Sequence, residues 1–418
     1  MAASSGFKLP PPLLWLAVVG LMAVPAAQAQ RLAYEVTNRY TRALVASGVV
    51  DVATGATTAT TPDEAQVYGV FTSDGQFAVS AAAGGTLLVR HMPTGAGSLV
   101  SADFRPGLAH PRRLMLFGYT SAGAVARLDV RGVATMTQCP PGANLPGLAL
   151  SLDGSELFVA CDTADIVVVD TETTAERRRV PALPHTSSVF VNAQGELVAA
   201  GVGPLGPEVA RLDATTGQEL ARRDALDVWA ATGSRRLLLE MRPSATPGVI
   251  GTYRLVDAAT LTTTPLPFSL ALGVSVFVSP DGRDAVLASS GYSVYTPSVV
   301  SRIEVATGRV LAKLVLPQEQ TAAVQVSPAP LPPANATAEV AAGQVSLAWH
   351  LPAESPQVTG YRLEAGATPG ATAVTIDLGP TLSTAIPGVP PGRYFARIRA
   401  VNYNGVSAPS NEVVIDVP

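Results

Sequence analysis

Residues Leu148 to Thr173 read LALSLDGSELFVACDTADIVVVDTET. One apolar run ends at Ser151, a second reaches Cys161, and a third, Ile166 to Val169, ends in Asp170. The runs are short, rich in β-branched residues and bounded by polar turn residues. Branched side chains suit a pleated strand and lose rotamer freedom in a helix, so the runs read as strands. Asp153-Gly154 suits a tight hairpin, because glycine takes positive φ without steric cost. Three or four such strands make one small antiparallel sheet with two apolar faces. It buries both only if copies of itself stack on either side.

The copies are present. The end of the third strand recurs as an apolar residue and Asp, often followed by Thr-Gly, at Val50-Asp51, Leu128-Asp129, Val169-Asp170, Leu212-Asp213 and Val256-Asp257, with Arg90-His91, where His91 replaces the Asp, and Ile303-Glu304 as variants. Seven copies between Asp51 and Glu304 give a period of about 42 residues, the length of a four-stranded blade. Innermost strands are expected before Asp74-Gly75, Pro111-Arg112, Asp153-Gly154, Gln194-Gly195, Gly233-Ser234 and Asp281-Gly282. The seventh, Ala322 to Ser327, has no copy after it, while Arg31 to Pro62 has later strands but no first one. The two incomplete ends complement each other, so the last strand should pair with the N-terminal segment and close a ring without an open edge.

These motifs resemble the bacterial YVTN-type β-propellers, with their S-P-D-G turns and D-x-x-T-G strand ends. Ser279-Pro280-Asp281-Gly282 and Asp213-Ala214-Thr215-Thr216-Gly217 carry the resemblance, which covers residues 31 to 328. It implies a seven-bladed β-propeller over residues 30–328 and implies little about function, because that family is functionally mixed. Trp-Asp dipeptides are absent, which argues against WD repeats, and four histidines are too few for a copper-cluster propeller.

The first 29 residues read as a secretory signal peptide: Lys8 is their only charge, Leu13 to Val24 is a short apolar core, and Ala27-Gln28-Ala29 is a small-residue cleavage pattern. The core is shorter than the roughly 20 residues that span a bilayer. The expected location is therefore secreted or periplasmic, without membrane insertion. Charged residues make up only 14%, against 37 Gly and 35 Pro, which fits many turns between short strands. The net charge of −4 and the lack of a basic cluster beyond Arg177 to Arg179 disfavour nucleic acid as a partner.

Residues 329–335 form a proline-rich linker, extended and stiff. Residues 336–418 carry seven further strand-like runs, the size of a β-sandwich. Trp349, Pro352, Tyr361, Ile386-Pro387, Tyr394, Arg397 to Asn402 and Pro409-Ser410 make this part resemble a fibronectin type III domain, an immunoglobulin-like sandwich. In that fold Trp349 fills the centre between the sheets and Tyr394 hydrogen-bonds back to the preceding corner. An Arg-Gly-Asp tripeptide is absent around Tyr403 to Val406. Each part has its own set of apolar strands and should bury its own core.

Chemistry is sparse. Cys139 and Cys161 are the only cysteines, and in an oxidising compartment they should form a disulfide. Cys139 enters a blade and Cys161 ends that blade's second strand, at the same end of the sheet. His110 and His185 read as lying in connections that enter an innermost strand, where they would face the channel as ligand-binding or acid–base groups. Three longer second-to-third-strand loops are expected at Gly201 to Glu208, Arg242 to Thr252 and Ser289 to Ser298. The last carries Tyr292 and Tyr295, suited to stacking on a sugar or peptide. The repeated aspartates read as turn caps that bond nearby backbone N–H groups. No catalytic constellation, metal site or cofactor is indicated. The reading is a secreted, monomeric, non-enzymatic protein that binds an extracellular or periplasmic protein or glycan. The alternative is a secreted hydrolase or lyase with its site in the propeller channel.

Overall fold

The computed structural model describes residues 31–38, 44–51, 57–59, 69–82, 86–91, 94, 96–137, 139–140, 146–203, 206–225, 227–230, 237–242, 252–265, 274–278, 284–289, 299–315, 320–327, 330–341, 343–353, 355–403 and 405–418. The expected signal peptide, Tyr292 and Tyr295 with positions 290–298 of their expected loop, and positions 243–251 of the expected Arg242–Thr252 loop lie outside these residues.

Seven four-stranded antiparallel sheets follow one another among the described residues. The fourth sheet is the stretch that opened the sequence reading: Gly147–Leu150, Glu156–Ala160, Thr163–Asp170 and Glu176–Thr186. Alternation along its strands decides what each side chain buries against. Phe158, Ala160, Ile166 and Val168 pack on Val189, Val191, Leu197 and Ala199 of the fifth sheet. Leu157, Val159, Val167 and Val169 point the other way, onto Met115, Phe117 and Val125 of the third. Each of the Val, Leu, Ile, Phe and Met side chains among these, removed from water on folding, contributes about 1.5–3 kcal/mol. The same arrangement joins the second sheet to the third through Leu87, Phe104 and Leu116, and the fifth to the sixth through Val198, Val209 and Val256.

The first sheet draws on both ends of the repeat region. Gln320–Ser327 is its first strand and pairs with Arg31–Asn38, from Arg31 opposite Ser327 to Asn38 opposite Gln320. The last strand of the repeat region thus pairs with its N-terminal segment, as the two incomplete ends imply.

The recurring aspartates cap the turn between third and fourth strands. Asp213 Oδ1 accepts from the N–H groups of Thr215 and Thr216 at 3.1 and 2.7 Å. Asp257 Oδ1 does the same for Ala259 and Thr260, and Asp170 Oδ1 for Glu172 and Thr173. Four residues after the capping position the backbone turns left-handed: Thr174 at φ 62°, Gly217 at 73°, Leu261 at 58° and Gly308 at 68°. This explains the glycine of the repeat, which alone takes that conformation without steric cost. The residue after the cap ties neighbouring sheets together through its carbonyl. Arg127 donates to Thr171 O (2.9 Å), Arg178 to Ala214 O (3.1 Å) and Asn192 to Ala258 O (3.2 Å).

The C-terminal part has one sheet of Ala334–Ala341, Gln344–His350 and Ser383–Pro387. A second sheet contains Gly360–Gly366, Val374–Leu378, Gly392–Asn402 and Val413–Val417. Their shared core draws only on residues of this part. At its centre Trp349 of the first sheet meets Tyr361 of the second edge-on, ring centroids 5.2 Å apart. Tyr394 donates its hydroxyl to Pro390 O at 3.0 Å, the backward bond expected of it.

Candidate functional site

Strand direction sorts the turns. In each sheet the first-to-second and third-to-fourth turns share one end. The second-to-third turn and the connection to the next sheet share the other. His110 directly follows the first strand of the third sheet, Arg105–Ala109, and so lies at the Asp-Gly end. His185 lies near the C-terminal end of the fourth sheet's last strand, at the opposite end. The structure therefore does not bring the two histidines together, and His110 does not enter an innermost strand as its sequence position suggested.

His110 is a wedge between sheets. It is buried, and its Nδ1 accepts the Arg112 N–H at 3.0 Å. Its ring sits against Gly154 of the next sheet, where an added Cβ would fall 2.5 Å from Nε2. The glycine of the Asp153-Gly154 turn is thus required twice, for its φ of 80° and for this close approach. Burial, reinforced by the Arg113 charge, pushes the His110 imidazole down to about 4.

His185 is in a different setting. The last strand of the fourth sheet is long and irregular: Asp165 pairs with Pro181, yet Thr163 pairs with Thr186. The extra residues, Ala182 to His185, bulge out of the ladder. Leu183 anchors the bulge in the core between the fourth and fifth sheets. Gly201 of the fifth sheet leaves room for it, since a Cβ there would lie 2.7 Å from Pro184 O. The Asp162 N–H donates to Thr186 O at 2.8 Å and pins the base of the bulge. Asp162 Oδ1 then faces His185 Nδ1 at 3.5 Å, with the imidazole 69% and the carboxylate 34% exposed. Both residues lie in the left-handed region, Asp162 at φ 59° and His185 at 50°. Non-glycine residues held there cost of order 1–3 kcal/mol each and persist only where the surroundings over-determine them.

Here the surroundings include the Cys139–Cys161 disulfide, which fixes the residue next to Asp162. Cys139 lies before the first strand of the fourth sheet and Cys161 after its second, as the sequence indicated. Thr163 and Thr186 donate their hydroxyls to the carbonyls of Asp165 and Leu183. With the cysteine oxidised and both hydroxyls donating to backbone, the pair presents a carboxylate and an imidazole that can hydrogen-bond and carry charge. Among the described residues no group of three or more His, Cys, Asp or Glu is placed to hold a metal ion. No helix there is long and apolar enough to cross a membrane, which says nothing of a membrane β-barrel.

The expected loop from Gly201 to Glu208 is largely strand. Pairing continues outward to Gly203 opposite Gly206. Sequence reasoning missed Asp162 as a partner for His185. The only signal was Pro181-Ala-Leu-Pro-His185, whose two prolines have no N–H to give to the ladder and favour a bulge.

Solved structures similar to this chain include TolB from Acinetobacter baumannii, at 15% identity and a TM-score of 0.41, covering 72% of this chain and 67% of that one. A chain of the mitotic checkpoint complex matches at 17% identity and 0.43, covering 60% and 80%. The Pan2 WD40 domain of Neurospora crassa matches at 13% and 0.43, covering 68% and 85%. These neighbours are WD40- and TolB-type β-propellers. No family model and no curated protein matches the chain.

Proposed function

We propose that this chain is an exported, non-enzymatic binding protein. In this reading a seven-bladed β-propeller of YVTN type carries a C-terminal fibronectin type III module and engages a protein or glycan at the end of the propeller bearing Asp162 and His185. The observation that carries it is the strained, solvent-facing Asp162–His185 pair, held between a disulfide and a bulge. Thr174 and Leu261 take the same conformation within the repeat's turn, whereas Asp162 and His185 take it outside any recurring turn, and backbone held so is a pointer to function. A half-buried carboxylate beside an exposed imidazole suits hydroxyl and amide groups, as glycans and peptides present them.

The seven sheets, the pairing of the two ends of the repeat region and the Trp349–Tyr361 core support the domain reading, with boundaries at residues 30–328, 329–335 and 336–418. The disulfide and the apolar segment before residue 30 support a secreted or periplasmic location. The protein acts as a monomer. A hydrolase or lyase would use the same pair as acid and base. The test is a glycan and peptide array probed with the mature protein, run beside a turnover assay on every hit. Hits without turnover support the binding reading; turnover replaces it with the enzymatic one.

A further inference from the structure

The Thr72–Gly75 turn of the second sheet and the Ser151–Gly154 turn of the fourth are the same device. Thr72 Oγ1 donates to Asp74 Oδ1 at 2.6 Å, and the Gln76 N–H to the same oxygen at 2.9 Å. Ser151 Oγ donates to Asp153 Oδ1 at 2.7 Å, and the Ser155 N–H at 3.0 Å. Their exposure differs. Asp153 stands in solvent, whereas Asp74 is 8% and Thr72 7% exposed. What covers the second sheet's turn is the C-terminal module. The Tyr403 N–H donates to Asp74 O at 3.1 Å, and Ser73 Oγ donates to Gln357 Oε1 at 3.3 Å. Asn402 Nδ2 donates to Gln357 O at 3.2 Å, so the two contact points of the module are tied to each other.

The connection favours the same seat. The closing strand Gln320–Ser327 is the first of its sheet, so its C-terminal end lies at the Asp-Gly end of the ring. Pro330 and Leu331 are buried soon after it. The Leu331 N–H donates to Ser355 Oγ at 3.0 Å, two residues before Gln357. A short tether keeps the effective concentration of the module high, so a few polar contacts suffice to hold it while leaving it releasable.

We propose that the C-terminal module is a docked cap whose binding surface is the Asp74 turn of the same chain. The cap masks the Asp-Gly end of the ring at its second sheet and leaves the opposite end, with Asp162 and His185, open. The two hydrogen bonds across the contact are polar and each part keeps its own core, so the cap can leave without either part unfolding. Displacement would bare the Ser73 hydroxyl and the Asp74 carbonyl.

The test uses the full mature chain with nitroxide labels at Val130→Cys and Val374→Cys, both exposed and outside the contact. Wild-type contacts should give one narrow inter-label distance distribution, unchanged on dilution with unlabelled protein. Ser73→Asp with Gln357→Glu places like charges across the contact and should broaden the distribution. Ser73→Lys with Gln357→Glu restores attraction and should narrow it again. Circular dichroism shows that each variant is folded. A broad distribution in the wild-type contact, a narrow one indifferent to the charge pair, or one lost on dilution because a second copy supplies the cap would overturn the proposal.

Discussion

Asp162 and His185, 23 residues apart in the chain, face each other at 3.5 Å with both backbones in the left-handed region. A free chain populates this conformation only sparsely, even at Asp and His, which tolerate it better than most residues. It exists because the disulfide, the Asp162–Thr186 backbone bond and the buried Leu183 hold the two segments from either side.

Releasing that strain should stabilise the fold. A non-glycine residue in the left-handed region costs about 1–2 kcal/mol, and glycine's extra entropy returns about 0.5–1 kcal/mol of that. His185→Gly and Asp162→Gly should each raise stability by about 0.5–1 kcal/mol, read by denaturant titration. A loss of more than 1 kcal/mol in either would mean that the side chain itself holds the bulge.

The turn four residues past each capping position makes a paired test. Thr174 is β-branched at φ 62°, so Thr174→Gly should stabilise by about 0.5–1 kcal/mol. Gly217→Ala should destabilise, because φ is 73° and the new Cβ would lie 2.7 Å from Pro181 O. Equal and negligible shifts in the two midpoints would remove the conformational account of the Thr-Gly signature.

His110 predicts an acid-sensitive ring. The unfolded chain takes up this proton near the ordinary 6.5, the folded chain only near about 4. Between those values the unfolded state binds more protons, so protonation favours unfolding. The contribution is complete above pH 6.5 and is lost progressively as pH falls towards 4. The melting temperature of the wild type should therefore fall over this window more steeply than that of His110→Gln. Parallel curves for the two proteins would show that His110 is not buried as a neutral group.

Trp349 tests the separateness of the two cores. It is 2% exposed, and its truncation to Ala should cost about 3–5 kcal/mol. That approaches the whole stability of a small domain, about 5–15 kcal/mol. Calorimetry should show the C-terminal transition lost and the main transition moved only slightly. A single transition lowered as a whole would mean one shared core.

The repeat unit was legible because its causes are local. Asp153-Gly154 and Asp213 to Gly217 encode turns by their own backbone chemistry, and alternation along Phe158 and Val159 already says that both faces are buried. The pairing of Arg31 with Ser327 followed from counting strands. The pairing of Cys139 with Cys161 followed from placing both at one end of a sheet. The site was only half legible. His185 was visible as a residue, but its partner depends on a register shift in the last strand of its sheet, which no local signal fixes. His110 looked equivalent to His185 in sequence, yet one strand's difference in position sends it to the other end and under the next sheet's glycine. The contact of Tyr403 with Asp74 joins parts 329 positions apart and left no trace in composition or spacing.

The most direct measurement is the affinity of the mature protein for its strongest array hit, compared with that of the His185→Gly variant by calorimetry. The account expects the variant to remain folded, with a melting temperature at or above wild type, and to bind at least about tenfold more weakly, a loss of roughly 1.4 kcal/mol. An unchanged affinity in a folded variant would place the ligand elsewhere on the molecule and contradict the assignment of the Asp162–His185 pair as the contact site.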